Sequence, residues 1–226
     1  MRNNSAIFAS EYLRMFYFVK SPWWLKKLYG NCAWKLPAGE KIIYLTFDDG
    51  PHPEITPFVL DTLKTYQAKA TFFCIGKNVA AHPAVYRNIL EQGHRIGNHT
   101  YNHLNGWKVS DEEYMNNIIE ASRYIDSNLF RPPYGRITRF QVSLLKRNNA
   151  ANNKFFHIIM WDVLSGDFDK NITGTKCVSN VIKNTSPGSV IVFHDSEKAF
   201  ARLQEALPKI LEYFSGKGYR FEGILL

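Results

Sequence analysis

KIIYLTFDDG, residues 41–50, decides how the rest of the chain is read. After one lysine the run is β-branched, aromatic or leucine, a composition that suits a strand. It then stops on two aspartates and a glycine, which is turn chemistry. PFVLDTLKTY (57–66) follows with helical spacing, and KATFFCI (69–75) is a second apolar run. Strand, polar turn, helix and strand make a βαβ unit, whose strands lie parallel.

The pattern continues outward. A helix opens near Asn78, then come HRIGN (94–98) and SDEEYMNNIIEASRYI (110–125), where Ser110 and Glu113 predict a capping box. NLFRPP (128–133) is a short strand element and RFQVSLLKRN (139–148) a helix. FFHIIMW (155–161) precedes a helix after Asn171, SVIVFH (189–194) precedes FARLQEALPKILEYF (200–214), and YRFEGILL (219–226) ends the chain. These seven strand candidates with six helices between them, at about 30 residues per unit, predict a complete or incomplete (β/α) barrel. No repeat, low-complexity tract or linker divides it, and 226 residues with 45% hydrophobic and 15% aromatic content fill one core. The expected organisation is an arm over 1–40 and one domain over 41–226.

Composition narrows the function. Cys32, Cys74 and Cys177 are odd in number and have no CxxC pairing, so neither a disulfide framework nor a cysteine zinc site is expected. The formal charge of +8 is spread along the chain, with one local cluster at Lys26 and Lys27. No zinc-finger spacing, RNP-type motif or long basic run accompanies it, so no nucleic-acid partner is expected. No apolar stretch has the length of a spanning helix. Glu11 and Arg14 interrupt the amino-terminal apolar residues, so no clear secretory leader is expected. A cytoplasmic or membrane-associated monomer follows, with the bacterial envelope as one setting. The stretch 13–30, LRMFYFVKSPWWLKKLYG, crowds aromatics with basic residues. It reads equally as an arm packed over the barrel's open end and as a peripheral membrane contact.

The polar residues that follow the strands are the informative ones. Asp48, Asp49 and Gly50 follow the first, and His99 and His103 of HTYNH the third. The fourth runs into Arg131, Pro132, Pro133, Tyr134 and Gly135; the fifth leads to Trp161, Asp162 and Asp167; the sixth ends in His194 and Asp195. In a barrel these strand ends converge on the face that carries chemistry. Two histidines four apart suggest a metal clamp, but Thr100 stands where a helical zinc-protease motif has Glu, and Gly93 and Gly97 interrupt any helix before it. Taken alone, Asp-Asp-Gly reads as a turn and the two histidines are as readily unrelated.

Together, TFDDG (46–50), HTYNH (99–103), RPPYG (131–135), WDVLSGDF (161–168) and IVFHD (191–195) resemble, in order, the five motifs of the NodB-type polysaccharide deacetylases, carbohydrate esterase family 4. The resemblance covers roughly residues 41–226 and implies an α/β fold, a distorted (β/α) barrel with seven strands. It implies a hydrolase that removes acetyl groups from N-acetylglucosamine units of an acetylated amino-sugar glycan such as chitin or peptidoglycan. It implies one divalent metal, zinc first, with cobalt, nickel or manganese also suited to imidazole and carboxylate ligands.

Residue by residue, the resemblance makes Asp49, His99 and His103 the metal ligands and Asp48 the general base. It pairs Arg131 with Asp48, takes the Tyr134 backbone N–H as oxyanion donor, and makes His194 the proton donor with Asp167 as its partner. Thr100 and Asn102 read as supporting loop residues, and His52, His82, His94 and His157 match no motif position. Leu164 and Phe168 depart from the family, which commonly has Asp and Trp there. Left open beside the N-deacetylase are a deacylase of a lipid-linked amino sugar, an ester deacetylase acting on xylan, and a non-catalytic glycan-binding barrel.

Overall fold

The structure, a computed structural model, describes residues 17–37, 40–147 and 155–226. The segment read for a leader, residues 1–16, and the start of the aromatic-basic stretch therefore lie outside the described residues. β1 (Ile42–Asp48), β2 (Ala70–Cys74), β3 (Arg95–Asn98), β4 (Leu129–Phe130), β5 (His157–Ile158), β6 (Val163–Leu164) and β7 (Val190–His194) form a parallel sheet in the order β5-β4-β3-β2-β1-β7-β6. β8 (Arg220–Phe221) pairs with the start of β1, off that path.

The seven-strand parallel count holds, with different membership. FFHIIMW reads as one strand in the sequence, but only His157–Ile158 lies in the ladder with β4, and Val163–Leu164 forms a separate strand on β7. YRFEGILL contributes only its second and third residues. The helix expected near Asn78 is two, α3 (Gly76–Ala81) and α4 (Pro83–Glu91), because Pro83 cannot continue the first and opens the second. Before α5 (Asp111–Ala121), Ser110 accepts from the Glu113 N–H at 3.1 Å, one half of the expected box. The full reciprocal pair, Thr138 with Gln141, caps α6 (Arg139–Lys146) instead.

Alternation along the strands separates core from site. Ile43, Leu45 and Phe47 of β1, Phe72 and Cys74 of β2, and Ile191 and Phe193 of β7 join the main core. With them pack Val59, Leu60 and Leu63 of α2 (Ile55–Thr65), Val181 of α7 (Gly174–Asn184), and Leu203, Leu207 and Ile210 of α8 (Glu197–Gly216). The opposite parity enters the lumen, where Phe73, Leu129, Ile159 and Val190 form a smaller cluster with Leu36 and Ile224. Asp48, Arg131 and His194 have that same lumen-facing parity, above the apolar floor.

The sheet ends in β5 and β6, and the amino-terminal arm fills the seam between them. Val19 accepts from the Leu164 N–H at 2.8 Å, Lys20 bridges antiparallel to Val163, and Ala33 bridges parallel to Ile159. Between these contacts lies the short α1 (Trp23–Leu28), which has no buried residue. Lys20 and Lys26 both reach the buried Asp162, at 2.6 and 2.5 Å, and Ser189 completes its shell. Asp162, placed on the functional rim by the sequence, thus serves the arm.

Candidate active site

The turn after β1 sends adjacent carboxylates in different directions. Asp48, last in the strand, keeps lumen parity and accepts from Arg131 Nη1 at 2.7 Å. Asp49 takes φ 83°, a left-handed backbone that non-glycine residues rarely adopt. Thr100, His103 and Tyr134 are also left-handed, so four of the five such non-glycine residues described crowd one place. Strain concentrated in this way is characteristic of functional sites.

Asp49, His99 and His103 each offer a ligand atom, and these atoms lie within 4.8 Å of one another. Nε2 of His103 stands 3.2 Å and Nε2 of His99 3.7 Å from Asp49 Oδ1. That oxygen is buried and has no well-aligned hydrogen bond. His99 Nδ1 meets the Arg131 carbonyl at 2.8 Å, and since a carbonyl only accepts, Nδ1 carries the proton. His99 Nε2 is then free to coordinate, since metal-bound histidines usually donate their other ring N–H to a carbonyl or carboxylate in this way. His103 Nδ1 lies 3.1 Å from the Tyr134 hydroxyl. Burial pushes the His99 imidazole down to about 4, which keeps it neutral, the form that binds metals. Burial alone would raise the Asp49 carboxyl; His103, His194 and His99 outweigh it and hold it below the usual carboxylate range. An oxygen without a well-aligned hydrogen bond, two imidazoles and one carboxylate fit a divalent cation.

Arg131 is fully buried and nearly saturated. Nη1 donates to Asp48 and to Thr46 Oγ1 at 2.7 Å, Nε to the Ile159 carbonyl at 3.1 Å, and Nη2 to that of Met160 at 3.0 Å. Its guanidinium also lies 4.1 Å from the Phe73 ring centroid, giving the charge a cation–π floor. This is no surface ion pair.

His194 stands beside Asp48 in the β1–β7 register. Asp167 accepts from two of its donors, the backbone N–H at 2.7 Å and Nδ1 at 2.8 Å, which leaves Nε2 facing the site. Burial would lower the imidazole, but the charge and hydrogen bond of Asp167 prevail, with help from Asp49 and Asp48, and raise it to about 9. In the RPPYG turn the Gly135 and Arg136 N–H groups bond back to Pro132 and Pro133. The Tyr134 N–H takes no part in those turn bonds, and its side chain is 62% exposed at the rim.

All eight candidate residues therefore meet around one rim. Sequence reasoning missed Thr46, although its place two residues before Asp48 puts it on the same strand face. It noted Asp195 without giving it a task. That buried carboxylate accepts from the Gly50 N–H at 3.0 Å and from Thr56 at 2.5 Å, and so ties down the Asp48–Asp49 turn. A side chain at position 50 would strike it, its Cβ lying 2.1 Å from Asp195 Oδ2. The unmatched His94 is structural: Nδ1 accepts from the Ala70 N–H at 3.2 Å, and burial holds its imidazole down to about 4.

The comparisons agree with this geometry. The polysaccharide deacetylase family model matches residues 35–152. A peptidoglycan-N-acetylglucosamine deacetylase of Bacillus cereus is 37% identical over 198 residues, covering 85% of this chain and 90% of that one. A chitooligosaccharide deacetylase of Azorhizobium caulinodans is 32% identical over 170 residues, 72% of this chain and 78% of that one. The crystal structure of the Bc1960 peptidoglycan N-acetylglucosamine deacetylase, in complex with 4-naphthalen-1-yl-N-oxidanyl-benzamide, superposes with a TM-score of 0.78 at 36% identity, covering 90% of this chain and 95% of that one. This chain belongs to the polysaccharide deacetylase family, the NodB-type enzymes of carbohydrate esterase family 4.

Proposed function

We propose that the chain hydrolyses the N-acetyl group of N-acetylglucosamine units in peptidoglycan, with a divalent metal, zinc first, held by Asp49, His99 and His103. The observation that carries this is the division of labour between Asp48 and Asp49. One is committed to a buried arginine, the other aims an oxygen without a hydrogen bond at two imidazoles. The substrate comes from the relatives, whose names specify peptidoglycan and chitooligosaccharide. The Bc1960 ligand carries an N-hydroxyamide, a metal-chelating group, which supports the metal.

A divalent ion in this pocket would polarise the acetyl carbonyl and acidify water, as catalytic zinc does. Asp48 accepts the proton as water attacks, and Arg131, bonded to it at 2.7 Å, holds it aimed. The Tyr134 N–H, on a turn stiffened by two prolines, donates to the oxyanion. His194, held by Asp167, protonates the departing nitrogen so that the amine can leave. Phe168 presents an apolar face beside His194, 5.3 Å between ring centroids, against which the acetyl methyl or sugar packs.

Acetate release from N-acetylglucosamine oligomers and from peptidoglycan, measured before and after chelation, tests this. Release that stops with chelator and returns with zinc is expected; release unaffected by complete metal removal refutes the metal's part. No release from either substrate refutes the deacetylase reading.

A second reading concerns place. Trp23 is 76% and Trp24 49% exposed, with Leu28 and Lys27 exposed beside them, on a helix whose Leu25 packs partly against the core and none of whose residues is fully buried. Tryptophan and lysine together suit a bilayer interface, and we propose that α1 rests on an anionic membrane surface. Trp23→Ser/Trp24→Ser should then lose sedimentation with anionic vesicles while keeping its deacetylase rate. A parent protein that does not sediment with them overturns the contact.

A further inference from the structure

The arm does more than fill the seam. Residues 17–21 run along the whole of the loop that carries Asp167 and Phe168. Ser21 bonds to the Trp161 and Asp162 carbonyls at 2.6 and 3.0 Å, and Val19 accepts from Leu164. At the far end Tyr17 donates its hydroxyl to Asp169 Oδ2 at 3.1 Å, and its ring meets Phe168 edge-on, 5.1 Å between centroids. Phe168 in turn meets the His194 ring edge-on. Tyr17, Phe168 and His194 thus form a continuous row of rings ending on the proposed proton donor.

The local backbone is shaped around that tyrosine. Gly166 has φ 84°, and a Cβ there would come within 2.8 Å of the Tyr17 hydroxyl. Asp169 closes the same turn, donating its N–H to the Gly166 carbonyl at 2.9 Å and accepting from the Asn171 N–H at 3.0 Å. On the other side the loop is held by Asn180 on the Ser165 carbonyl at 3.0 Å and by Arg202 on the Asp167 carbonyl at 2.6 Å. Those bonds hold the backbone of residues 165 and 167. Tyr17 reaches the side chains of both Phe168 and Asp169, where Lys198 lies over the Phe168 ring and the Asn171 N–H bonds the other Asp169 oxygen.

We infer that Tyr17, outside every family motif, is a positioning residue of the active site: it clamps the Gly166–Asp169 turn so that Asp167 meets His194 and Phe168 stands against the donor's ring. The inference rests on the reading of His194 as proton donor. Displacement of a catalytic group by about 1 Å can cost on the order of 10²-fold in rate.

The test uses Tyr17→Ala and Tyr17→Phe in the full chain. Tyr17→Ala should lower kcat by roughly 10–100-fold with a smaller change in KM. Tyr17→Phe, which keeps the ring contact and loses only the Asp169 bond, should recover most of that loss. A second readout is independent of turnover: the His194 amide hydrogen, bonded to Asp167 Oδ2, should exchange faster in Tyr17→Ala while amides of β1 and β2 keep their protection. Unchanged kcat and unchanged His194 exchange overturn the inference. So does loss of protection throughout the sheet, which would make Tyr17 a general stabiliser. If the parent protein releases no acetate, the proposed function has failed, and the His194 exchange comparison still decides whether Tyr17 clamps the turn.

Discussion

Asp48 and Arg131 meet inside the lumen, one ending β1 and the other directly following β4, whereas Asp167 comes from a loop after β6 and reaches across to His194. The first pair is fixed by strands on which residues two apart share a face, and Arg131 adds bonds to Thr46, Ile159 and Met160. The second has one partner on a strand and one on a loop supported from outside by the arm. Both pairs bring opposite charges within hydrogen-bonding distance, 2.7 Å and 2.8 Å. The contrast teaches that similar short distances can rest on very different foundations: sheet register in one case, tertiary contact in the other.

The strongest way to break the comparison is Asp48→Asn. Removing the proposed base should cost about 10²–10⁴-fold in kcat. Metal content, measured by elemental analysis, should stay at the parent value, because Asp49 and the histidines are untouched. Loss of metal from this variant would show that the two aspartates have been assigned in reverse.

Asp167→Asn probes the loop-borne pair. His194 is raised to about 9, burial opposing and Asp167 prevailing. A donor acts only while protonated, so activity falls as pH rises through its pKa. Without the Asp167 charge burial gains ground, the pKa drops, and the basic limb of the kcat profile should move to lower pH. The same raised value contributes stability below the unfolded imidazole's pKa, lost as pH rises towards about 9, and the variant should lose that dependence. An unmoved basic limb would remove His194 as the donor.

Thr46→Val should have the smallest effect. Arg131 Nη1 loses one buried acceptor but retains Asp48, a cost of about 1–3 kcal/mol, read from thermal unfolding. A larger fall in kcat than in Asp167→Asn would mean that the strand-borne pair is the less robust of the two.

The sequence showed the strand-borne half plainly. KIIYLTF, KATFFCI and SVIVFH are long enough to declare themselves, and the polar residues at strand ends mark the rim from the sequence alone. The seam was not legible. β5 and β6 are two residues each, too short for period or composition to register, so FFHIIMW absorbed one and hid the other. Asp162 looked like a rim residue because only tertiary contact sends it to Lys20 and Lys26. Tyr17 carried no signal at all, since its neighbours 166–169 lie about 150 positions away, the Asp169 bond spanning 152.

Those separations matter to a chain made from its amino terminus. The arm's bond from Ser21 to Trp161 spans 140 positions. Synthesis at about 5–20 residues per second leaves it without that partner for roughly 7–28 s. During that interval β1 to β4 can pair in order, while an aromatic-rich amino terminus waits with nothing to close upon. The wall that holds Asp167 is therefore raised after the one that holds Asp48 and Arg131, and a ribosome-bound chain that ends before residue 161 lacks both Asp167 and His194 even with its Asp-His-His cluster already made.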